Sequence, residues 1–563
     1  MPLFVPRPPP APFAFRYHTY CLAPPLDAIP EGDWFCPDCI AAANHAEDLG
    51  FNTGKTFTVA EFEAHCAAFD ARFFGAEDKK AKDQTKETSR QRPSIAVIEE
   101  HFWRMVEEGG GDAVDVHYGA DVDTSAHGSA FPRVWDLDHG ARDAAKDAAA
   151  THPWNLNNVP RHPKPGTGPG GVLSSADDVT DADDDGEHRS LLRRVHDHIP
   201  GVLVPWLYFG STFSSFCWHF EDHALYSMNY NHLGAAKTWY GVPGASADDF
   251  EQSFKKAMPD LFASQPDLLF QLVTMLSPSL LQKDGVPVFR TDQHAGEFVV
   301  TFPRSYHAGF NTGFNVAEAV NFAPPDWLRF GRDGVERYRD YRKPSVLCHD
   351  ELLCVAAADA PMGPETAKWL LGDLKRTVAD ERAAREELIA NGVVRSRRYT
   401  PKKLAAKAAA AAGALELRRE AMAGGRKEKK SSGAKPIAPS GPEDPHDAAE
   451  RVLPNENANG AYDRECTICR YILHLSGVAC TCNPDRPACL RHSAELCDCP
   501  NSRRVLFYRK SIAQLEQLVK GVERACGGKK QKSSQSADAS AKARQKKAAA
   551  WAKEAKAVLA QKS

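Results

Sequence analysis

The amino-acid sequence predicts a mainly β central domain, flanked by helical segments and followed by a zinc-binding module. Short aromatic and β-branched runs broken by Gly, Pro and Asn fill residues 154–326 and predict strands. Seven of the 15 cysteines fall between Cys466 and Cys499, a density that in an intracellular chain indicates zinc rather than disulfides. With 563 residues, 42% of them hydrophobic, the chain can bury the cores of two or three domains.

The segments around the β domain differ from it in composition. Amphipathic patterns at Thr58 to Phe74 and Ile95 to Glu108 predict two helices, and Gly392 suits the end of a later helical region. In chain order, the predicted regions are a partial metal-binding segment (1–50), a helical and mixed lead-in (51–153), the β domain (154–326) with a disordered insertion (160–189), a helical region (327–394), a basic Ala/Pro-rich linker (395–450), a cysteine-rich two-zinc module (462–510) and a basic disordered tail (527–563).

Charge is distributed unevenly along the chain. The net charge is −4, yet residues 395–435 carry 13 Lys/Arg against 3 Glu, and residues 529–563 carry 10 Lys/Arg against 2 acids. Such basic segments indicate a polyanionic partner or serve solubility alone. No apolar run approaches the ~20 residues of a membrane span. The sequence therefore predicts a soluble cytosolic or nuclear protein.

His219 and Glu221 lie two residues apart in a predicted strand, so their side chains leave the same face. A second histidine from another strand would complete a two-histidine, one-carboxylate triad, which is typical of non-haem Fe(II) oxygenases. His307 is the candidate, because it follows an apolar strand beside the turn residues Pro303 and Gly309. The His-x-Glu pair alone would also suit a half-exposed strand, but the late histidine in its glycine-rich, aromatic context favours a metal site.

Lys237 is a lysine inside a predicted strand, between Ala236 and the pair Thr238 and Trp239. A lone lysine is most often a solvent-facing residue. Next to an iron triad, it becomes the predicted salt-bridge partner of a metal-chelating co-substrate with a distal carboxylate, 2-oxoglutarate.

Four stretches carry a family resemblance: VPWLYFGSTFSSFCWHFEDHALYSMNYNHLGAAKTWYGVP, SQPDLLFQLVTMLSP, GEFVVTFPRSYHAGFNTGFNVAEAVNF and HPWNLNNVP. They are similar to the JmjC oxygenases, and more narrowly to the lysine-demethylase branch (JARID1-type) with a PHD finger before the catalytic domain and a cysteine-rich finger after it. The resemblance runs from about Arg16 to Tyr508, apart from the insertions and the linker. It implies a double-stranded β-helix, a jelly-roll or cupin-like fold, that holds Fe(II) and 2-oxoglutarate.

The resemblance also implies roles for single residues. Iron is assigned to His219, Glu221 and His307. The co-substrate pocket is assigned to Lys237, Tyr118, Asn229, Phe216, Ser227 and Trp239. The substrate side is assigned to Tyr208, Asn311, Asn321 and Ala319. The chain departs from the family pattern at Leu233, Ala235 and His294, and His294 is expected to be structural or to lie behind the metal ligands.

The cysteine-rich module offers eight soft ligands, enough for two tetrahedral zinc ions. They are Cys466, Cys469, Cys480, Cys482, Cys489, His492, Cys497 and Cys499. Their spacing leaves the pairing open, with a cross-brace favoured. The module resembles the five-cysteine, one-histidine, two-cysteine finger of the same branch, and His474 is expected to be a spare, exposed imidazole.

The N-terminal segment resembles the second half of a PHD finger. His18 and Cys21 would belong to one zinc site, and Cys36 and Cys39 to the other, while the first four cysteines of the family pattern are missing. The JmjN and ARID segments of the family are also missing upstream. The sequence therefore predicts an N-terminally truncated member of the branch, without a working PHD reader.

The resemblance implies a nuclear Fe(II)- and 2-oxoglutarate-dependent dioxygenase that uses O₂ to demethylate di- and trimethylated lysine 4 of histone H3. Its expected partner is the histone H3 tail or nucleosome, with DNA contact through basic runs such as residues 426–430 and 529–532. Two alternatives remain: a catalytically silent chromatin scaffold, and a hydroxylase of a non-histone protein. The intact triad and Lys237 favour the demethylase.

Overall fold

The computed structural model describes residues 54–80, 92–108, 114–133, 144–160, 190–195, 198–270, 274–358, 362–398 and 465–527. Within these ranges, no helix combines the length and apolar character needed to cross a membrane. The predictions for the N-terminal ligands His18, Cys21, Cys36 and Cys39, for the insertion, for most of the basic linker and for the tail lie outside them.

Strands dominate the middle of the chain, as predicted. In chain order they are β1 (Gly119–Asp123), β2 (Trp206–Gly210), β3 (Ser215–His219), β4 (Tyr226–Gly234), β5 (Lys237–Gly241), β6 (Phe289–Gln293), β7 (Phe298–Thr301), β8 (His307–Asn311) and β9 (Asn315–Phe322). They form two antiparallel sheets, with orders β1-β2-β9-β4-β7 and β3-β8-β5-β6. The predicted jelly-roll type of fold is confirmed.

Strand β8 is buried along its whole length between β3 and β5. Gly309 lies in its middle, where an added Cβ would come within 2.1 Å of the Thr238 carbonyl oxygen and 2.5 Å of the Phe216 ring. Only glycine fits this close approach of three strands. The absence of a side chain here brings Phe216 and β5 close to the strand that carries His307.

Helices accompany these strands. In chain order they are α1 (Val59–Lys80), α2 (Ile95–Glu108), α3 (Thr124–His127), α4 (Ala144–Thr151), α5 (Ala247–Ala257), α6 (Pro259–Ser264) and α7 (Pro278–Lys283). Five of them, α1, α2, α5, α6 and α7, share an apolar core with the second sheet. Both predicted lead-in helices are confirmed as α1 and α2. Phe102 of α2 stacks on Phe310 of β8 with ring centroids 4.2 Å apart, and Trp218 packs in the same core. Burial of aromatic groups thus fixes β3 and β8, the two strands that carry the predicted ligands His219 and His307.

The predicted helical region follows as α8 (Leu328–Asp340), α9 (His349–Ala358) and α10 (Pro364–Ala390). Helix α10 ends before Gly392, whose φ of +94° is a conformation that glycine adopts without strain. The sequence-based prediction of this helix end is therefore confirmed.

The C-terminal module contains β10 (Arg395–Arg398), β11 (Ser476–Cys480), β12 (Asn483–Ala488), β13 (Arg504–Tyr508) and α11 (Ile512–Cys526). The prediction that the linker begins at residue 395 is wrong, because Arg395–Arg398 pairs in parallel with Val505–Tyr508 at the sheet edge. Leu515 and Val522 of α11 share a buried apolar cluster with the helical region. The zinc-binding module and the helical region are thus held together by a common core.

Candidate metal and co-substrate site

The three predicted iron ligands come together at one end of the second sheet. His219 ends β3, His307 begins β8, and the two residues are direct partners across these antiparallel strands. A bulge between Phe216 and His219 shifts the register there, a feature that re-aims side chains at functional sites. One ligand atom from each of His219, Glu221 and His307 lies within 4.8 Å of the others.

Both histidines are held in the form that a metal requires. The Nδ1 of His219 lies 2.7 Å from the Cys217 carbonyl oxygen, and the Nδ1 of His307 lies 2.9 Å from the Ser305 carbonyl oxygen. A carbonyl only accepts, so each Nδ1 donates its proton and the Nε2 lone pair is left for a metal. Burial, reinforced by His307, lowers the pKa of His219 to about 4, which keeps that imidazole neutral near pH 7.

Glu221 is ionised and held in place. Burial alone would raise its pKa, but His307, His219 and the hydrogen bond from Asn321 together lower the pKa of Glu221 to about 2. Its Oε1 lies 3.5 Å from His307 Nε2, and its Oε2 accepts from Asn321 Nδ2 at 2.9 Å. Two imidazoles and one carboxylate grouped in this way fit a divalent iron with open positions.

Lys237 is a buried cation close to this cluster. Its side chain is 2% exposed, and its Nζ donates to Asn311 Oδ1 at 2.8 Å. In the described part of the chain, no carboxylate forms an ion pair with it, and burial lowers the pKa of Lys237 to about 7. The rings of Phe216 and Tyr118 lie 5.4 and 5.8 Å from Nζ. A buried lysine without a protein carboxylate is suited to bind an anionic ligand.

Hydrogen bonds within and between the two sheets connect the predicted pocket residues near Lys237. The ring centroids of Trp239 and Phe216 lie 4.7 Å apart. The Trp239 indole N–H donates a hydrogen bond to Gln293 Oε1 at 2.9 Å. Gln293 in turn donates to Asn229 Oδ1 at 3.1 Å, and Ser227 lies 2.5 Å from Thr301, hydroxyl to hydroxyl. The predicted pocket residues therefore lie on facing strands, with Gln293 as the bridge between them.

Tyr208, which was predicted to lie on the substrate side, has its ring centroid 6.2 Å from that of Tyr118. Its hydroxyl is hydrogen-bonded to Asp121, and burial together with that carboxylate raises the pKa of Tyr208. Ala319 is half-buried opposite Asn229 on one side and Trp206 on the other. Tyr208, Tyr118 and Asp121 thus form one connected group, and Ala319 lies on β9 between β2 and β4.

The eight predicted zinc ligands separate into two groups of four. One group is Cys466, Cys469, Cys489 and His492, and the other is Cys480, Cys482, Cys497 and Cys499, each with its ligand atoms within 4.8 Å of one another. The first and third ligand pairs along the chain share one group, and the second and fourth share the other. This is the interleaved, cross-brace arrangement that the spacing had left open.

Comparison with known proteins agrees with this geometry. Residues 206–322 match the family model described as JmjC domain, hydroxylase. Residues 466–518 match the C5HC2 zinc finger, and residues 326–378 match the C-terminal helical domain of lysine-specific demethylase 5. The β domain is a JmjC domain. Together with the C5HC2 finger and the helical domain, it is consistent with the JARID1-type branch.

Curated relatives align over most of the chain. It is 39% identical to lysine-specific demethylase JMJ17 of Arabidopsis thaliana over 517 residues, covering 92% of this chain and 35% of the relative. It is 39% identical to lysine-specific demethylase JMJ703 of Oryza sativa over 86% of this chain and 33% of the relative. It is 35% identical to lysine-specific demethylase 5B of Gallus gallus over 90% of this chain and 27% of the relative. The chain thus spans about a third of the length of these relatives.

Two asparagines predicted on the substrate side of the JmjC domain have other surroundings. Asn311 is fully buried, and its amide is engaged by Lys237, Asn315 and Ser214. Asn321 is 5% exposed and donates to Glu221. Both are too enclosed to line an open mouth, so Asn311 positions the lysine and Asn321 positions the carboxylate ligand.

Two of the predicted histidine environments also need correction. His294 does not stand behind the metal ligands: it is exposed in the turn between β6 and β7, where its backbone N–H donates to Glu297. The prediction that His474 is exposed is wrong, because it is 6% exposed beneath the helical domain. Periodicity around the C5HC2 ligands gave no sign that another domain covers this face of the finger.

Three residues of the JmjC pocket were missed in the sequence: Gln293, Asp121 and Thr301. Each is hydrogen-bonded to a predicted residue: Gln293 to Trp239, Asp121 to Tyr208, and Thr301 to Ser227. Gln293 stands directly opposite Lys237 in the register of β5 and β6, which a strand alignment would have revealed.

We expect zinc to be required for the folded finger. Cys469→Ser and Cys482→Ser remove one ligand from each group, so each variant is expected to lose one zinc ion, and the double variant two. Structural zinc contributes on the order of 10 kcal/mol to the folding of such modules, so the finger should become protease-sensitive. Metal analysis with limited proteolysis checks this, with Cys526→Ser, whose thiol lies outside both groups, as the control. Full zinc content in the double variant would contradict the ligand assignment.

Proposed function

We propose that this protein is a nuclear Fe(II)- and 2-oxoglutarate-dependent dioxygenase that demethylates di- and trimethylated lysine 4 of histone H3. The observation that carries the proposal is the pairing of two features in one pocket. A two-histidine, one-carboxylate cluster stands beside a buried lysine that, among the described residues, has no carboxylate partner. This pairing suits a metal together with an acidic, metal-chelating co-substrate.

Each residue has a definite task in this proposal. His219, Glu221 and His307 would hold Fe(II) on one side, leaving the other side open for ligands. Lys237, kept in position by Asn311 at 2.8 Å, would bind the distal carboxylate of 2-oxoglutarate. With O₂, iron and 2-oxoglutarate supply the oxidant that hydroxylates an N-methyl group, which is then released as formaldehyde.

The protein's own contribution is to orient the methylated side chain. Tyr208 would offer an aromatic face, which attracts a quaternary ammonium group. The Asp121 carboxylate at the Tyr208 hydroxyl adds negative charge on the same side. Hydroxylation of a methyl carbon needs no lone pair on nitrogen, so trimethyl-lysine is an allowed substrate. Ala319 leaves room for the third methyl group.

Lysine demethylation is supported by the relatives, which are lysine-specific demethylases. Position four of H3, the H3 tail and nucleosome as partners, and the nucleus as location rest on the JARID1-type domain combination. DNA contact through the basic segments is part of the same proposal, although those segments lie outside the described residues.

Peptide assays test the substrate. We expect H3 peptides with di- or trimethylated lysine 4 to lose methyl groups with matching formaldehyde release. Peptides methylated at positions nine, 27 or 36 should react far more slowly. An Ala319→Val variant should lose activity on the trimethylated peptide more than on the dimethylated one, because the added methyl groups occupy the space of the third N-methyl. Mass spectrometry of all peptides side by side measures both effects.

The assay also separates the alternatives. Preference for position nine or 36 would replace the proposed substrate by another lysine. Succinate formation without formaldehyde on a protein substrate would indicate a hydroxylase. Absence of turnover on every histone peptide, despite bound iron, would favour the scaffold.

A further inference from the structure

A third group of metal-type side chains lies outside both the iron cluster and the two zinc groups. It consists of Cys348, just before helix α9, Glu351 in the first turn of that helix, and His474 of the C5HC2 finger. One ligand atom from each lies within 4.8 Å of the others, a limit that the two zinc groups and the iron triad also meet. The three side chains meet where the helical domain and the finger touch.

His474 is the unusual member of this group. Its side chain is 8% exposed, and its Nδ1 is buried without a hydrogen-bond partner, 3.7 Å from Glu351 Oε2. Leaving a buried ring nitrogen without a hydrogen-bond partner is energetically unfavourable. Burial, together with the positive charges of Arg509 and Lys510, lowers the pKa of His474 to about 3, so the imidazole is neutral near pH 7. A neutral imidazole that lies next to a carboxylate and a thiol can coordinate a metal cation.

We propose that Cys348, Glu351 and His474 bind a third zinc ion that links helix α9 to the C5HC2 finger. Thiolate sulfur, carboxylate oxygen and imidazole nitrogen are the three donor types that Zn²⁺ accepts in proteins, and three protein ligands with a water molecule complete a tetrahedron. The divalent ion would give His474 Nδ1 its missing partner. Its positive charge would also neutralise the negative charges of the Cys348 thiolate and the Glu351 carboxylate at this partly buried junction.

Other contacts at the same junction fit a structural tie. Tyr471 donates its hydroxyl to Asp350 of α9, and Arg491 of the finger pairs with Glu336 of α8 at 2.8 Å. Arg339 of α8 reaches the Sγ of Cys489, a ligand of the first zinc group, at 3.3 Å. A metal bound across this junction would hold the finger in one orientation against the helical domain. It would reinforce these hydrogen bonds and this ion pair, with which water can compete. The proposal is independent of the demethylase activity.

Zinc analysis of the full chain tests the third site. We expect Cys348→Ser and His474→Gln each to carry one zinc ion fewer than the wild-type protein, while Cys526→Ser keeps the full number. Metal in the iron triad and in the other zinc groups is common to all four proteins, so it cancels in the comparison. In the zinc-loaded wild type, the Cys348 thiol should resist alkylation by iodoacetamide, and it should become reactive after chelation. Equal zinc content in all four proteins would overturn the proposal.

Glu351→Gln guards against loss of zinc through unfolding. The Glu351 side chain is 31% exposed, so this isosteric change removes a ligand charge without disturbing the core. We expect a folded protein whose affinity for the third zinc ion falls at least tenfold in competition with a chelating dye. Unchanged affinity in folded Glu351→Gln, or a Cys348 thiol that is alkylated equally with and without zinc, would show that the cluster does not bind the metal.

Discussion

We expect His219→Ala to abolish both iron retention and succinate formation. Alanine removes one of the three ligands, and the remaining Glu221 and His307 would leave four positions of the metal to water. Loss of one ligand from a three-ligand site lowers metal affinity by orders of magnitude, so the purified variant should contain little iron. Metal analysis and coupled turnover of 2-oxoglutarate measure the two effects separately.

His294→Ala is the matched control for this experiment. His294 belongs to the same JmjC domain but is exposed in the turn between β6 and β7. The variant should keep wild-type iron content and turnover. If His219→Ala retained iron as well as His294→Ala does, the ligand assignment would be wrong. Measuring the melting temperature of both variants excludes unfolding as the cause of metal loss.

Local spacing was sufficient to predict the ligands. The two-residue separation of His219 and Glu221 already places both side chains on one face of a strand, whatever the rest of the fold does. His307 could be found because it follows an apolar strand, beside Pro303 and Gly309 in a glycine-rich, aromatic context. The direct pairing of His219 with His307 across β3 and β8 agrees with this reasoning.

Long-range register was beyond the reach of spacing. From the sequence, Asn311 and Asn321 were equally compatible with lining the mouth of the substrate pocket. Only their hydrogen-bond partners show that Asn311 holds Lys237 and that Asn321 holds Glu221. Gln293 and Asp121 were missed for the same reason. Similarly, the burial of His474 depends on a helical domain more than 100 residues earlier in the chain. No periodicity within the finger records that contact.

We expect Lys237→Met to spare iron but to raise the 2-oxoglutarate requirement steeply. Methionine matches the length of much of the lysine side chain, so it fills the buried site without leaving a large cavity. What is lost is a charge-assisted hydrogen bond, worth about 1.5–3 kcal/mol, which corresponds to roughly a 10- to 150-fold higher KM for the co-substrate. Lys283→Met, at an exposed lysine that ends α7, is the control and should leave this KM unchanged.

The pH dependence of co-substrate binding gives this prediction a second, sharper readout. Burial lowers the pKa of Lys237 to about 7, so the free lysine is charged below that pH and increasingly neutral above it. The distal carboxylate requires the charged form, and its binding must therefore take up a proton as the pH rises. Between pH 7 and 8.5, we expect the affinity of the wild-type protein for 2-oxoglutarate to fall, by at most tenfold per pH unit. Lys237→Met has no proton to gain and should show a flat profile over this range. Parallel slopes for the two proteins, or an unchanged KM in Lys237→Met, would remove Lys237 from the co-substrate site.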